Sequence, residues 1–395
     1  MIIRAIEGTI RDDLNKKMVL LSGPRQCGKT TLAKSLFSNK KSTYYNWDVL
    51  THRRLIQQGQ LETNTTYWIF DELHKYHRWK NWLKGIYDLE HKNHSILVTG
   101  SANLRVYSRG GDSLQGRYFA HHLHPFTLRE VTGRPAISDL DRIPLLDESP
   151  KAADRSLLEA LLLFGGFPEP FVSHSKTHAD RWRLSYSEQL IRDEIRNLES
   201  LKDLDRVELL FERLTETVGS VLSINSLRED LEVAFKSVKS WIDVFDNLYA
   251  TFRIAPFGTP RIKAVKKEQK LYFWDWSRIE DPAKRFENAI AAHLLRLVDW
   301  ARDTQGQKWE LRYFRDINGR EVDFIILRNA KPWMAIEVKS SETSVSPHLK
   351  YLLERVKIPH AFQVSLDSKT DWKTEPINGT AIRMTSATRF LLALA

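Results

Sequence analysis

The sequence predicts an α/β protein in which a parallel-sheet phosphate-binding domain is followed by helical, winged-helix and smaller α/β parts. Three observations carry this reading. Apolar Met18 to Leu21 runs directly into Gly23-Pro-Arg-Gln-Cys-Gly-Lys-Thr30, with helical character from Thr31 onward. That is the strand–loop–helix setting of the phosphate-binding P-loop. A second apolar run, Tyr67 to Phe70, ends on Asp71-Glu72. Finally, 395 residues exceed one ordinary core, so two to four domains are expected.

In the first domain, residues 1–135, each residue type has a physical reason. Gly23 and Gly28 let backbone N–H groups close around the phosphates of a nucleotide, where a side chain would block approach. Pro24, Arg25, Gln26 and Cys27 complete the loop, and Thr31 opens the helix whose positive end faces the same anion. Lys29 supplies a mobile charge to the β- and γ-phosphates, and the Thr30 hydroxyl is the expected Mg2+ ligand. Asp71 is expected to hold Mg2+ through water, and Glu72 to polarise the attacking water. An acid pair of this kind points to ATP hydrolysis. Strands are also expected at Thr43–Trp47, Ser95–Thr99 and Tyr118–Leu123. The Ser95–Thr99 strand is expected to lie between the P-loop and Asp71 strands. It carries a γ-phosphate sensor at its tip, Ser101, with Asn103 in reserve. Arg117 is the candidate arginine finger, acting in cis or from a neighbouring subunit, with Arg105 and Arg109 as rivals.

The motifs G-P-R-Q-C-G-K-T-T-L, F-D-E-L-H-K, T-G-S-A-N-L and L-Q-G-R-Y-F…H-P-F-T-L-R-E-V resemble the predicted prokaryotic AAA+ ATPases that carry a second, uncharacterised C-terminal domain. The resemblance continues at Phe164–Glu169, Ile191–Glu194 and Lys270–Asp275, and so covers most of the chain. Cys27 stands where that family more often has a small aliphatic residue, a change that leaves phosphate binding intact. The resemblance speaks to architecture more than to biological role.

Residues 136–205 read as a linker and helical connector. Arg134 to Ala153 is rich in Pro, Asp and Ser, and the following apolar residues recur at helical spacing up to about Leu204. In residues 206–276, helices Val207–Val218, Ile224–Leu231 and Ser237–Leu248 precede strands Thr251–Ala255 and Lys270–Trp274. Three helices and a hairpin make a winged helix. Lys236, Ser237, Lys239 and Ser240 would face DNA, with Arg261, Lys263, Lys266 and Lys267 in the wing. The competing reading is a winged helix used as a spacer or protein contact.

Residues 277–395 carry a second constellation. A helix at Arg285–Asp299, strands at Lys308–Phe314, Arg320–Leu327 and Trp333–Lys339, and a helix near His348–Val356 match the core order of the PD-(D/E)XK nucleases. Asp323 interrupts the apolar V-D-F-I-I, where an unpaired carboxylate is costly. Glu337 and Lys339 are two apart and share a face. Asp323 and Glu337 on adjacent strands are expected to hold one Mg2+, with Glu287 completing the shell and Lys339 orienting water. The alternative is a structural ion-pair network in a nuclease-derived fold.

Composition sets the outer limits. No stretch has the length or apolarity of a membrane span, the N-terminus lacks a signal-peptide core, and the single cysteine, Cys27, excludes an internal disulfide. A cytoplasmic protein is expected, with ATP and Mg2+ as ligands and a possible homo-oligomer. The net charge of +10 permits DNA as a partner, and a basic solvated surface is the plainer alternative. A nucleotide-gated regulatory protein with a protein partner is the competing function.

Overall fold

The run Met18–Ser22 is buried at every position, as a central strand of a parallel sheet covered on both faces must be. In the computed structural model it is β1 of a five-stranded, wholly parallel sheet. The structure describes residues 2–38, 41–101, 114–195, 204–258, 268–341, 344–366 and 371–394. The described chain divides into two compact units, one of Met1–Pro125 with Asn247–Tyr249, the other of Phe126–Asp246 with Ala250–Ala395. No described helix is long and apolar enough to cross a membrane.

The first unit runs α1 (Glu7–Leu14), β1, α2 (Lys29–Leu36), β2 (Ser42–Asn46), α3 (Leu50–Gln58), β3 (Tyr67–Asp71), α4 (Trp79–Glu90), β4 (Ser95–Gly100) and β5 (Tyr118–His122). The strand order is β2-β3-β4-β1-β5, so β4 lies between the P-loop strand and the Asp71 strand, as expected. Trp79, Leu83, Ile86 and Tyr87 recur at helical spacing on α4 and pack with Trp68, Phe70 and Ile96 from the sheet. Large apolar side chains such as Trp68 and Phe70 each contribute roughly 2–3 kcal/mol when taken from water. That core fixes the strands whose carboxyl ends carry the chemistry.

The second unit begins with helices α5 (Leu128–Val131), α6 (Ala152–Phe164), α7 (Pro168–Ser173) and α8 (Lys176–Gln189). Then come α9 (Leu204–Glu216), α10 (Ile224–Asp230), α11 (Phe235–Asn247), β6 (Thr251–Pro256) and β7 (Lys270–Phe273). Next, α12 (Pro282–Gln305) outruns the expected Arg285–Asp299. Asp281 caps its start through Ala283 and Lys284 N–H groups, and Gly306 closes it at φ +66°. The chain ends with β8 (Trp309–Arg315), β9 (Glu321–Arg328), β10 (Lys331–Lys339), α13 (Pro347–Arg355), β11 (His360–Ser365), β12 (Trp372–Lys373), β13 (Ile382–Ser386) and α14 (Ala387–Leu392).

The strands β6 to β13 form one eight-stranded sheet in the order β12-β13-β11-β10-β9-β8-β6-β7. The β6–β7 hairpin is antiparallel, and β6 also pairs with β8, so the sheet runs across the boundary expected at 276. Three helices and a hairpin do follow one another here, but the hairpin is the sheet's edge. The expected wing residues Arg261, Lys263, Lys266 and Lys267 lie outside the described residues. Strands β9 and β10 meet in a two-residue turn with Asn329 and Ala330 at positive φ.

Candidate functional site

The P-loop is held open by its backbone. Gly28 caps α2 in the left-handed region at φ +98°, with no side chain satisfying the helix's first N–H groups. A Cβ on Gly23 would stand 2.3 Å from the Leu123 carbonyl oxygen, so only glycine fits the approach. The Arg4 guanidinium braces the loop by donating to the Cys27 carbonyl at 2.9 Å, and Cys27 itself is buried. Lys29 is buried inside the loop, its Nζ donating to Gly23 O at 2.9 Å and Pro24 O at 2.6 Å. Thr31 is exposed on α2, and Arg25 and Gln26 line the loop's outer part.

Asp71 ends β3 in register with Asn46 of β2 and Thr99 of β4. Its carboxylate gathers three hydroxyls. Thr30 Oγ1 donates at 2.7 Å and Tyr44 Oη at 2.6 Å to Oδ2, while Thr99 Oγ1 donates to Oδ1. Burial alone would raise the Asp71 pKa. The bonds from Thr99, Tyr44 and Thr30, with the Lys29 charge, outweigh it and hold the carboxyl below its ordinary value. The same burial and the Asp71 carboxylate push the Tyr44 phenol up, so it stays a donor. Thr30 and Asp71, expected from the sequence to serve Mg2+, thus meet in one hydrogen bond, and two oxygen ligands of this kind suit a hard cation.

Glu72 follows at φ +54°, a conformation uncommon outside glycine, with its N–H donating to Thr99 O at 3.0 Å. Ser101 Oγ donates to Glu72 Oε2 at 3.0 Å, joining the expected sensor to the expected base. Two nitrogens stand near the same oxygen, His74 Nε2 at 3.6 Å and the Lys75 ammonium at 3.8 Å. Burial depresses the His74 pKa and so favours its neutral form. Lys75 is shared with Asp48 at 2.7 Å. Sequence reading missed Tyr44, Thr99, His74 and Lys75. The available signal was the alignment of polar residues at the carboxyl ends of neighbouring parallel strands.

Arg117 corrects an expectation. It precedes β5, whose Tyr118 pairs with Met18 at the start of β1, so it sits at the opposite end of the sheet from the P-loop. Five strand residues separate these ends, about 15 Å. There Arg117 donates to Asp88 at 2.7 and 3.1 Å. Asn103, Arg105 and Arg109 lie outside the described residues.

In the second unit, Asp323 on β9 and Glu337 on β10 lie on antiparallel neighbours, and Glu287 is on α12, as the sequence suggested. Their partners differ from the expected metal shell. Glu287 Oε1 accepts from the Tyr272 hydroxyl at 2.8 Å and lies 3.7 Å from the buried Lys270 Nζ, which also pairs with Glu321. Asp323 Oδ2 accepts from Val338 N–H at 2.8 Å. Glu337 Oε1 accepts from Lys339 at 2.7 Å and Ser346 at 3.2 Å, while its buried Oε2 has no hydrogen-bond partner among the described residues. Burial, then the nearby Asp323 charge, push both Glu287 and Glu337 up to about 7. Among the described residues no three His, Cys, Asp or Glu side chains are grouped to hold a metal ion. Lys270, a cation supplied by β7, stands beside the helix glutamate of the expected three-acid shell.

Comparison with known proteins follows this geometry. Residues 15–132 match a family described as an AAA domain. Residues 155–278 and 284–386 match two families described as domains of unknown function, DUF8612 and DUF4143. The first unit, with its parallel five-stranded sheet, resembles the P-loop AAA+ ATPases. The uncharacterized protein MJ1637 of Methanocaldococcus jannaschii is 24% identical over 294 residues, covering 65% of this chain and 60% of that protein. The uncharacterized protein Rv2008c of Mycobacterium tuberculosis is 22% identical over 260 residues, covering 65% of this chain and 54% of that one. The chain thus spans little more than half the length of these relatives. Among solved structures, Aeropyrum pernix ORC1 in complex with DNA has a TM-score of 0.33 at 16% identity, over 75% of this chain and 94% of that one. Thermotoga maritima RuvB has a TM-score of 0.32 at 17% identity, over 67% and 90%. Both likenesses are weak.

Proposed function

We propose that the first unit binds ATP and hydrolyses it to ADP and phosphate. The observation that carries the reading is the paired contact at the carboxyl edge of the sheet. Thr30 meets Asp71 at 2.7 Å, and Ser101 meets Glu72 at 3.0 Å one residue further on. Gly23, Gly28 and the uncapped start of α2 cradle the β- and γ-phosphates, and Lys29 turns its ammonium from the loop carbonyls to them. Thr30 and Asp71 are the residues that would hold Mg2+, which would neutralise phosphate charge. Glu72 accepts the proton of the attacking water, and Ser101 fixes the carboxylate's orientation. Lys29→Ala is expected to weaken ATP binding. Glu72→Gln is expected to keep binding and to cut hydrolysis by about a hundredfold or more, the usual scale for a general base. Parent-rate hydrolysis by Glu72→Gln would refute the assignment.

The chain as a whole is read as an ATPase that responds to DNA, a reading supported by its net charge of +10. The winged-helix and PD-(D/E)XK-like assignments for the second unit belong to this proposal, as do a homo-oligomer and a finger role for Arg117 in a neighbouring copy. For the nuclease-like part, a domain that binds without cutting is favoured by one observation: Lys270 and Tyr272 already engage Glu287. Only Asp323 and Glu337 then remain to take a divalent ion, with Lys339 beside them. Titrating Mn2+ into parent and Asp323→Ala, followed by assays on single-stranded and duplex DNA, tests this. Asp323-dependent cutting would restore the catalytic reading.

A further inference from the structure

One face of the first unit is basic in a way the ATPase reading leaves unused. From Leu73 to Tyr87 the chain carries His74, Lys75, His77, Arg78, Lys80 and Lys84 and no acid. Helix α3 is likewise acid-free and carries His52, Arg53 and Arg54. Because β2 and β3 are parallel neighbours, the turns leaving them lie side by side at the carboxyl edge of the sheet. Side-chain contacts lock the two turns together. The Trp47 ring stacks on Tyr76 at 4.6 Å, the Arg53 guanidinium lies 5.3 Å over Trp47, and Lys75 reaches Asp48 at 2.7 Å. Arg54, Lys75, His77 and Arg78 are exposed. Among the described residues, Arg54, His77 and Arg78 have no ion-pair partner, and the acids of these two turns, Asp48 and Glu72, both stand beside Lys75.

A solvated basic face is ordinarily interleaved with acids, as α9 is with its Glu208, Glu212 and Glu216 beside Arg206 and Arg213. Here Arg54 and Arg78 stand without ion-pair partners among the described residues, beside a frame of stacked aromatics, which suits a partner with repeating negative charge at fixed spacing. Lys75 sits at the join, 2.7 Å from Asp48 and 3.8 Å from the Glu72 carboxylate. A phosphate that draws Lys75 outward takes it away from both carboxylates, so the Glu72 side chain loses an ion-pair neighbour when the face is occupied.

We propose that this face binds the phosphate backbone of a nucleic acid and that Lys75 couples its occupancy to Glu72. The coupling rests on the ATPase reading, whereas the binding face stands apart from it. The test uses the full chain and fluorescein-labelled oligonucleotides (single-stranded DNA, duplex DNA and single-stranded RNA), with anisotropy read between about 50 and 200 mM salt. Arg54→Gln with Arg78→Gln is expected to weaken binding roughly tenfold and to lower the slope of log affinity against log salt by about 1–2. Lys350→Gln with Lys357→Gln, at exposed positions of the second unit, is expected to leave both unchanged. Both pairs are exposed, and an unchanged melting temperature verifies folding. If the parent binds and the Arg54/Arg78 pair binds like it, the face is wrong while the DNA reading stands. If the parent binds phosphatidylserine vesicles and no oligonucleotide, both fall. In steady-state hydrolysis, the parent is expected to accelerate several-fold with the oligonucleotide. Lys75→Gln is expected to run at the accelerated rate without it. A Lys75→Gln protein that responds like the parent overturns the coupling.

Discussion

The carboxylate of Asp71 shows how a buried charge is kept useful. Burial disfavours the ionised form, and three hydroxyl donors with one nearby ammonium reverse that preference. His293 on α12 shows the opposite outcome, a titratable group held neutral. Its Nδ1 bonds the Ala289 carbonyl at 2.7 Å, and its Nε2 accepts from Leu128 N–H at 3.2 Å, which uses both ring nitrogens of the neutral tautomer. Burial lowers its pKa from 6.5 to about 4. Above pH 6.5 both folded and unfolded states hold it neutral. As pH falls from about 6.5 to about 4, the unfolded chain takes up a proton that the native state refuses, so stability is lost across that window. The loss from this group is on the order of 3 kcal/mol. Chemical denaturation of parent and His293→Gln from pH 4 to 7 checks it: the parent's advantage should shrink as pH falls. A difference independent of pH would mean that the imidazole is not held neutral.

At the scale of elements, the P-loop is a backbone device more than a set of side chains. At the carboxyl edge β2, β3 and β4 supply Tyr44, Asp71 and Thr99, hydroxyls and a carboxylate, while β1 supplies a turn that must pass close to Leu123. Gly23→Ala is expected to shift the loop, because a Cβ 2.3 Å from a carbonyl oxygen has no room and the backbone cannot yield as a side chain would. Nucleotide affinity should fall at least tenfold. Gly8→Ala is the control, since nothing lies within 4 Å of a Cβ there and the residue is helical. It should stabilise by up to about 1 kcal/mol and leave affinity unchanged. Isothermal titration with an ATP analogue distinguishes the two, and equal affinities would show that the loop tolerates a side chain at Gly23.

For the whole molecule, the division into two compact units has a thermodynamic consequence. Each has its own core, Trp68 and Phe70 among others in the first and Val322, Ile325 and Leu349 in the second. Nucleotide bound by the P-loop stabilises the unit that holds it, by about 2.7 kcal/mol at a hundred times Kd. Scanning calorimetry of the full chain is expected to show two transitions, of which Mg2+ with ADP raises one. Lys29→Ala should abolish that rise. A single transition moving as a whole would mean that the two units unfold as one cooperative block.

By itself the sequence determined whatever is contiguous. The P-loop was legible because its strand, glycines, lysine and threonine follow one another within a few turns of chain. Asp71 and Glu72 were legible because two acids end an apolar run, and the β4 position followed from the kind of acid pair. The tertiary structure decided what depends on register between segments far apart. That Thr99 and Tyr44 meet Asp71 is set by parallel pairing across helical crossovers, which local periodicity does not encode. Arg117 was a finger candidate in one dimension, and only the direction of β5 shows that it lies at the end of the sheet opposite the P-loop. Asp323, Glu337 and Lys339 were recognisable from alternation on two strands. Lys270, fifty-three residues before Asp323, was not, because only the folded sheet brings its ammonium to Glu287 and Glu321. Short motifs carry their chemistry with them, whereas the charge balance of a buried site is settled by whichever distant residue the fold delivers.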